Sequence, residues 1–117
     1  MTFALPKDRN WVSMPLFPWE RPRVVQRLTT VTTSAVNSSA LNVDSKMIRL
    51  FSESYDAYVY IKDSVFTGTA TNSSHHIFVP ANTLIDYVLP WKPVATEQFT
   101  LSIIADGTVP KFMIYEI

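Results

Sequence analysis

Short runs that alternate apolar and polar side chains, each cut off after a few residues, constrain this chain more than any other feature. Ala57, Val59 and Ile61 alternate with Tyr58 and Tyr60; Phe99, Leu101 and Ile103 alternate with Thr100, Ser102 and Ile104; Ile48 and Leu50 flank Arg49. A period of two sends successive side chains to opposite faces of a strand. No segment sustains the i, i+3, i+4, i+7 spacing of an amphipathic helix. Val24 to Thr33 is rich in Val, Thr and Leu, which suit a pleated surface. Ile77 and Val79 begin a run stopped by Pro80, Thr83 to Leu89 ends at Pro90, and Phe112 to Ile117 closes the series. Asn82 is able to cap a helical turn, but Thr83, Ile85, Tyr87 and Val88 favour a strand. Ser34 to Ser45 and Thr67 to Ser74 read as polar loops. Asp106-Gly107 signals a tight turn between the run ending at Ile104 and the last one. About seven strands result, at roughly the 8–12-residue spacing of sandwiches and barrels. The expected fold is all-β: an antiparallel β-sandwich of jelly-roll type over residues 25–117. Its expected core contains Ile48, Leu50, Val59, Ile61, Leu101, Ile103 and Ile114.

Several of these runs are apolar on both faces. Tyr58 and Tyr60 oppose Val59 and Ile61, and Phe112 and Ile114 oppose Met113, Tyr115 and Ile117. One face of each sheet enters the core, so the other must meet something else. Residues 1–24 differ in kind. Pro6, Pro15, Pro18 and Pro22 lie among Phe3, Trp11, Phe17 and Trp19. Proline at this density rules out a helix interior and a central strand, while the aromatics are too apolar for a solvated linker. The expectation is an extended N-terminal arm, with Trp11, Phe17 and Trp19 as anchors and Arg21 and Arg23 at the rim. It either docks on a neighbouring molecule or folds back over its own domain.

Lysine plus arginine equals aspartate plus glutamate, ten each in 117 residues, so the formal net charge is zero. That balance argues against general nucleic-acid binding, which needs a basic excess, and it favours self-association, here expected as a homo-oligomer. No apolar run approaches the ~20 residues of a membrane helix, and the first residues lack the basic and apolar regions of a secretory signal. Neither a membrane nor a nucleic-acid partner is expected, and synthesis in a cytoplasm is.

Chemistry is sparsely signalled. The chain has no cysteine, so thiolate catalysis and cysteine-bound zinc are excluded. His75-His76 are adjacent and on a strand would point to opposite faces. Asp56, Asp63 and Asp86 are scattered, without the close spacing of a calcium loop. No phosphate loop, nucleophile elbow or zinc-protease motif occurs. The expectation is a non-enzymatic protein without catalytic residues, metal or cofactor. Asn37-Ser38-Ser39 and Asn72-Ser73-Ser74 match glycosylation sequons, read as chance matches in the absence of a secretory signal. Trp11, Trp19 and Trp91, with Tyr55, Tyr58 and Tyr60, fit a sugar-stacking platform; core and interface packing is the competing and preferred explanation.

Met47-Ile-Arg-Leu-Phe-Ser-Glu-Ser-Tyr-Asp-Ala-Tyr-Val-Tyr-Ile61 is followed by Thr69-Ala-Thr71 and Ile77-Phe-Val-Pro-Ala-Asn82. Leu101-Ser-Ile-Ile-Ala-Asp-Gly107 and Phe112-Met-Ile-Tyr-Glu-Ile117 complete the order. The succession resembles small β-sandwich virion proteins of tailed bacteriophages. It covers about residues 25–117 and leaves out the arm, and its motifs describe sandwich geometry more than chemistry. The resemblance implies a structural component of a phage particle: a capsid decoration or cement protein, or a piece of the neck or tail. Its partners would be the major capsid protein or other virion proteins, and its location the virion. A carbohydrate-binding β-sandwich module is the alternative.

Overall fold

The computed structural model describes residues 24–90 and 96–116. Within them the chain forms eight strands and no helix: β1 (Val24–Leu28), β2 (Val36–Asn37), β3 (Met47–Ser52), β4 (Ala57–Lys62), β5 (Ile77–Val79), β6 (Leu84–Val88), β7 (Thr100–Ala105) and β8 (Phe112–Glu116). One four-stranded sheet has the order β1-β8-β3-β6 and the other β2-β7-β4-β5. All strand pairings are antiparallel. Four of them nest, β1 with β8, β2 with β7, β3 with β6 and β4 with β5, as in one long hairpin wound around itself. The β3–β8 and β4–β7 ladders then seal the two sheets. This is the eight-stranded jelly roll.

The core fills the space between the sheets. Ile48, Leu50 and Ile114 from one sheet meet Val59, Ile61, Leu101 and Ile103 from the other, and all seven are buried, as their alternation requires. Loop residues complete it: Val31, Leu41, Phe99 and Val109 are also buried. Val31 and Val109 are tied by a 2.8 Å bond from the Val109 amide to the Val31 carbonyl.

Four sequence expectations need correction. The first strand ends at Leu28 rather than Thr33, because the chain turns there to cross to the opposite sheet and drops Val31 into the core. The 34–45 segment is not only loop. It contains β2, and beyond it the Ser38 and Leu41 amides bond to the carbonyls of Leu101 and Phe99 at 2.8 and 2.7 Å. There are consequently eight strands, not seven. Asp106-Gly107 does not make a hairpin, since β7 and β8 lie in different sheets; the 106–111 segment is a crossing.

Asn82 caps no helix. It adopts a left-handed backbone (φ 58°), as does Ser54 (φ 76°), and its side chain stitches two turns together. Asn82 Oδ1 accepts from the Ser54 amide at 3.1 Å, and the Asn82 amide donates to the Ser52 carbonyl at 2.7 Å. Asn tolerates this backbone better than other β-carbon-bearing residues. Asn82→Ala removes both that tolerance and the side-chain bond, so a loss of about 1–2 kcal/mol is expected in urea denaturation. An unchanged midpoint would contradict this account of the turn.

Candidate functional site

Among the described residues no three histidine, cysteine or acidic side chains are grouped as metal ligands. What the fold does present is two sheet faces of different character.

The outer face of β1-β8-β3-β6 is apolar. Strand register places Arg27, Met113, Phe51 and Leu84 in one cross-strand row, and Val25, Tyr115, Arg49 and Asp86 in the next. Val25, Leu84 and Val88 are exposed, at 50%, 57% and 60%. They flank the face, Val25 on its β1 edge and Leu84 and Val88 on its β6 edge. Arg27 is an exposed charge at the β1 edge, and two further charges, Arg49 and Asp86, neutralise each other. Arg49 Nε donates to Asp86 Oδ1 at 2.5 Å and Nη2 to Oδ2 at 3.1 Å, a bidentate cross-strand pair. The hydrogen bond to Asp86 raises the Arg49 pKa; partial burial opposes it, and the Asp86 charge adds to it.

The outer face of β2-β7-β4-β5 is partly roofed by the 63–76 connection between β4 and β5. Gly68 lies so close to the Tyr60 ring that a β-carbon there would stand 2.9 Å from it. The Ala70 amide donates to Ser102 Oγ at 3.0 Å, which buries Ser102 although it points away from the core. The histidine pair splits between two aromatic groups. His75 packs on Tyr58 with centroids 4.9 Å apart. His76 packs on Tyr60 at 4.3 Å, accepts the Ile61 amide on Nδ1 at 2.9 Å and takes the edge of Phe66. Tyr58 also touches Phe78, and its hydroxyl reaches Asp106 Oδ2 at 3.3 Å. Desolvation, then the negative charge of Asp106 and the bond to it, and lastly Asp56, raise the Tyr58 phenol above its usual range. The tyrosines expected in core or interface packing thus lie outside the core: Tyr58 and Tyr60 are half-buried on this face, and Tyr55 is exposed, its ring over Gly107.

Two hollows adjoin this sheet. One, of about 310 Å³, is mostly apolar and opens at the end of the sandwich between Ile61, Val65, Phe66, His76, Tyr87 and Pro90. The other, of about 290 Å³, lies on the outer face itself, with Tyr58 and Ile104 among its lining and Thr33, Thr71, Asn72 and Asp106 as its polar groups. Three separate connections supply those polar residues, so nothing in their sequence spacing signals the hollow; Asp106 and Asn72 stood out only as a turn residue and a chance sequon. Trp11, Phe17, Trp19, Arg21 and Arg23, the expected partner-binding residues, lie outside the described residues, and so does Trp91. Asn37 and Asn72 are exposed. The chain matches no protein-family model, no curated protein and no solved structure.

Proposed function

We propose that this protein is a non-enzymatic structural component of a bacteriophage particle, holding to neighbouring virion proteins through residues 1–24 and the apolar outer face of β1-β8-β3-β6. The observation that carries the reading is that face: Val25 is exposed on one edge strand of the sheet and Leu84 and Val88 on the other, with Phe51 and Met113 in the row between them. Arg49 and Asp86 compensate each other on this face, and Arg27 at its β1 edge is a further exposed charge, so the partner it fits is another protein whose matching surface is mainly apolar. The jelly roll is an architecture used in viral coats, and fold alone does not specify function, so the surface has to bear the argument. Val24, which follows the Pro- and aromatic-rich segment in sequence, starts an edge strand of this same sheet. A decoration or cement role is favoured; a neck or tail position is the other form of the same proposal.

Quantitative mass spectrometry of purified particles tests the assignment. Copies in the hundreds mean decoration, around a dozen mean neck or tail, and absence from the particle overturns it (both numbers being order-of-magnitude expectations from closed symmetry). The surface is tested separately. Leu84→Asp with Val88→Asp is expected to remove the protein from particles while leaving its melting temperature nearly unchanged, since exposed substitutions rarely cost more than about 0.5 kcal/mol. Deletion of residues 1–22 is expected to do the same. A truncated chain that melts many degrees lower would assign the arm to its own domain instead.

A further inference from the structure

We propose that the hollow on the outer face of β2-β7-β4-β5 is a saccharide site that takes a single uncharged pyranose ring. Its floor is the cross-strand pair Tyr58 and Ile104. A tyrosine ring and an aliphatic side chain side by side offer the flat apolar surface that the C–H face of a sugar requires. The polar groups around that floor come from three connections: Thr33 between β1 and β2, Thr71 and Asn72 between β4 and β5, and Asp106 between β7 and β8.

The donor and acceptor set selects the ligand class. Asp106 is exposed, and one of its oxygens meets only the long 3.3 Å contact from Tyr58. Among the described residues Asn72 and Thr33 make no side-chain hydrogen bond within the protein, so an amide and a hydroxyl are available to a ligand. A carboxylate, an amide and hydroxyls suit a ligand that both donates and accepts at several points, as a polyol does. No lysine or arginine lines the hollow, which disfavours phosphate and carboxylate ligands. A lone carboxylate is a poor cation site. At about 290 Å³ the volume lies at the lower end for ligand pockets, roughly 300–1,000 Å³, and fits one ring better than a chain.

The walls are fixed before any ligand arrives. Thr71 and Ser74 exchange backbone bonds of 2.9 and 3.3 Å, and Thr71 Oγ1 accepts the Ser74 amide at 2.8 Å. His75 Nδ1 lies 3.1 Å from the Thr71 carbonyl. Across the hollow, the Ala105 and Asp106 amides donate to the Thr32 and Asp56 carbonyls at 2.9 and 3.0 Å. Such preorganisation lowers the ordering cost of binding. The site is on the sheet opposite the apolar docking face, so it stands or falls independently of the structural role.

Amide chemical-shift titration of the full chain tests the site, with methyl glucoside, methyl mannoside, methyl galactoside and N-acetylglucosamine at millimolar concentration and free adenine as a flat non-sugar control. At least one sugar is expected to shift the amides of Thr33, Thr71 to His75 and Ile104 to Asp106. Asp106→Ala and, separately, Asn72→Ala are each expected to weaken that response about tenfold, the effect of one lost hydrogen bond to a ligand. Both side chains are exposed, and the two variants check each other should one disturb the loop. The proposal is overturned if no sugar shifts these amides, if the shifts survive both substitutions, or if adenine binds there and the sugars do not.

Discussion

Phe112→Ala is expected to lower the free energy of unfolding by about 3–5 kcal/mol, the range for a buried phenylalanine cut back to alanine. Phe112 has no exposed surface, and it lies on β8 between Leu28 of β1 and Ser52 of β3. The ring therefore fills space where three strands of one sheet face the other sheet. A domain of this size has about 5–15 kcal/mol in total, so the loss is a large share of it. Urea denaturation should show a lower midpoint with an unchanged slope, because the surface exposed on unfolding is nearly the same. Leu84→Ala, on the outer face of the same sheet, provides the contrast and should stay within about 0.5 kcal/mol. If the two variants lose the same amount, the division between core face and outer face is wrong.

Glu116→Ala is expected to cost about 3 kcal/mol by a different route. Glu116 faces inward on β8 yet is 1% exposed, opposite Ile48 in the register. Its Oε1 accepts the Asn42 amide at 2.6 Å and the Ser45 hydroxyl at 2.7 Å. A carboxylate here latches the 38–46 crossing, whose Leu41 and Ser45 are also buried, onto the end of the sheet. Truncation leaves those donors without their acceptor in a place water reaches poorly, and each orphan costs roughly 1–3 kcal/mol. Glu116→Gln keeps an acceptor oxygen and should lose clearly less than the alanine variant. Equal losses would mean that the carboxylate shape, not its bonds, holds the crossing.

The core was legible because burial and alternation are the same fact seen twice. Ile48 and Leu50, Val59 and Ile61, Leu101 and Ile103 each sit two apart, and every one is buried. β2 was not legible, because two residues, Val36 and Asn37, are too few to display a period. Val31, Leu41 and Val109 were missed for a related reason: they are single apolar residues in crossings, buried by tertiary position with no local pattern. Glu116 obeys the alternation of its strand and violates its polarity, and only the distant Asn42 and Ser45 explain why. The Asp106-Gly107 turn failed on topology, since a local turn signal carries no information about which sheet the next strand joins. The apolar outer face was half visible, as strands apolar on both sides. The hollow was not visible at all, because Thr33, Asn72 and Asp106 are brought together only by the winding of the sheets.

The sheet orders also dictate when this molecule can exist during synthesis. In β1-β8-β3-β6, β8 is the sole neighbour of β1; in β2-β7-β4-β5, β7 is the sole neighbour of β2. Of the described strands, the two latest in sequence are thus the ones that join each sheet. A chain stopped before residue 100 holds only the β3–β6 and β4–β5 pairs, with β1 and β2 lacking any strand to pair with. Val24 must wait for Glu116, and contacts so far apart in sequence belong to the slow class of folding reactions. Until they form, the apolar edges of β3 and β4 stand open to any other strand nearby. Synthesis through Glu116 is therefore a condition of folding here, and until then the chain depends on whatever keeps nascent edges apart.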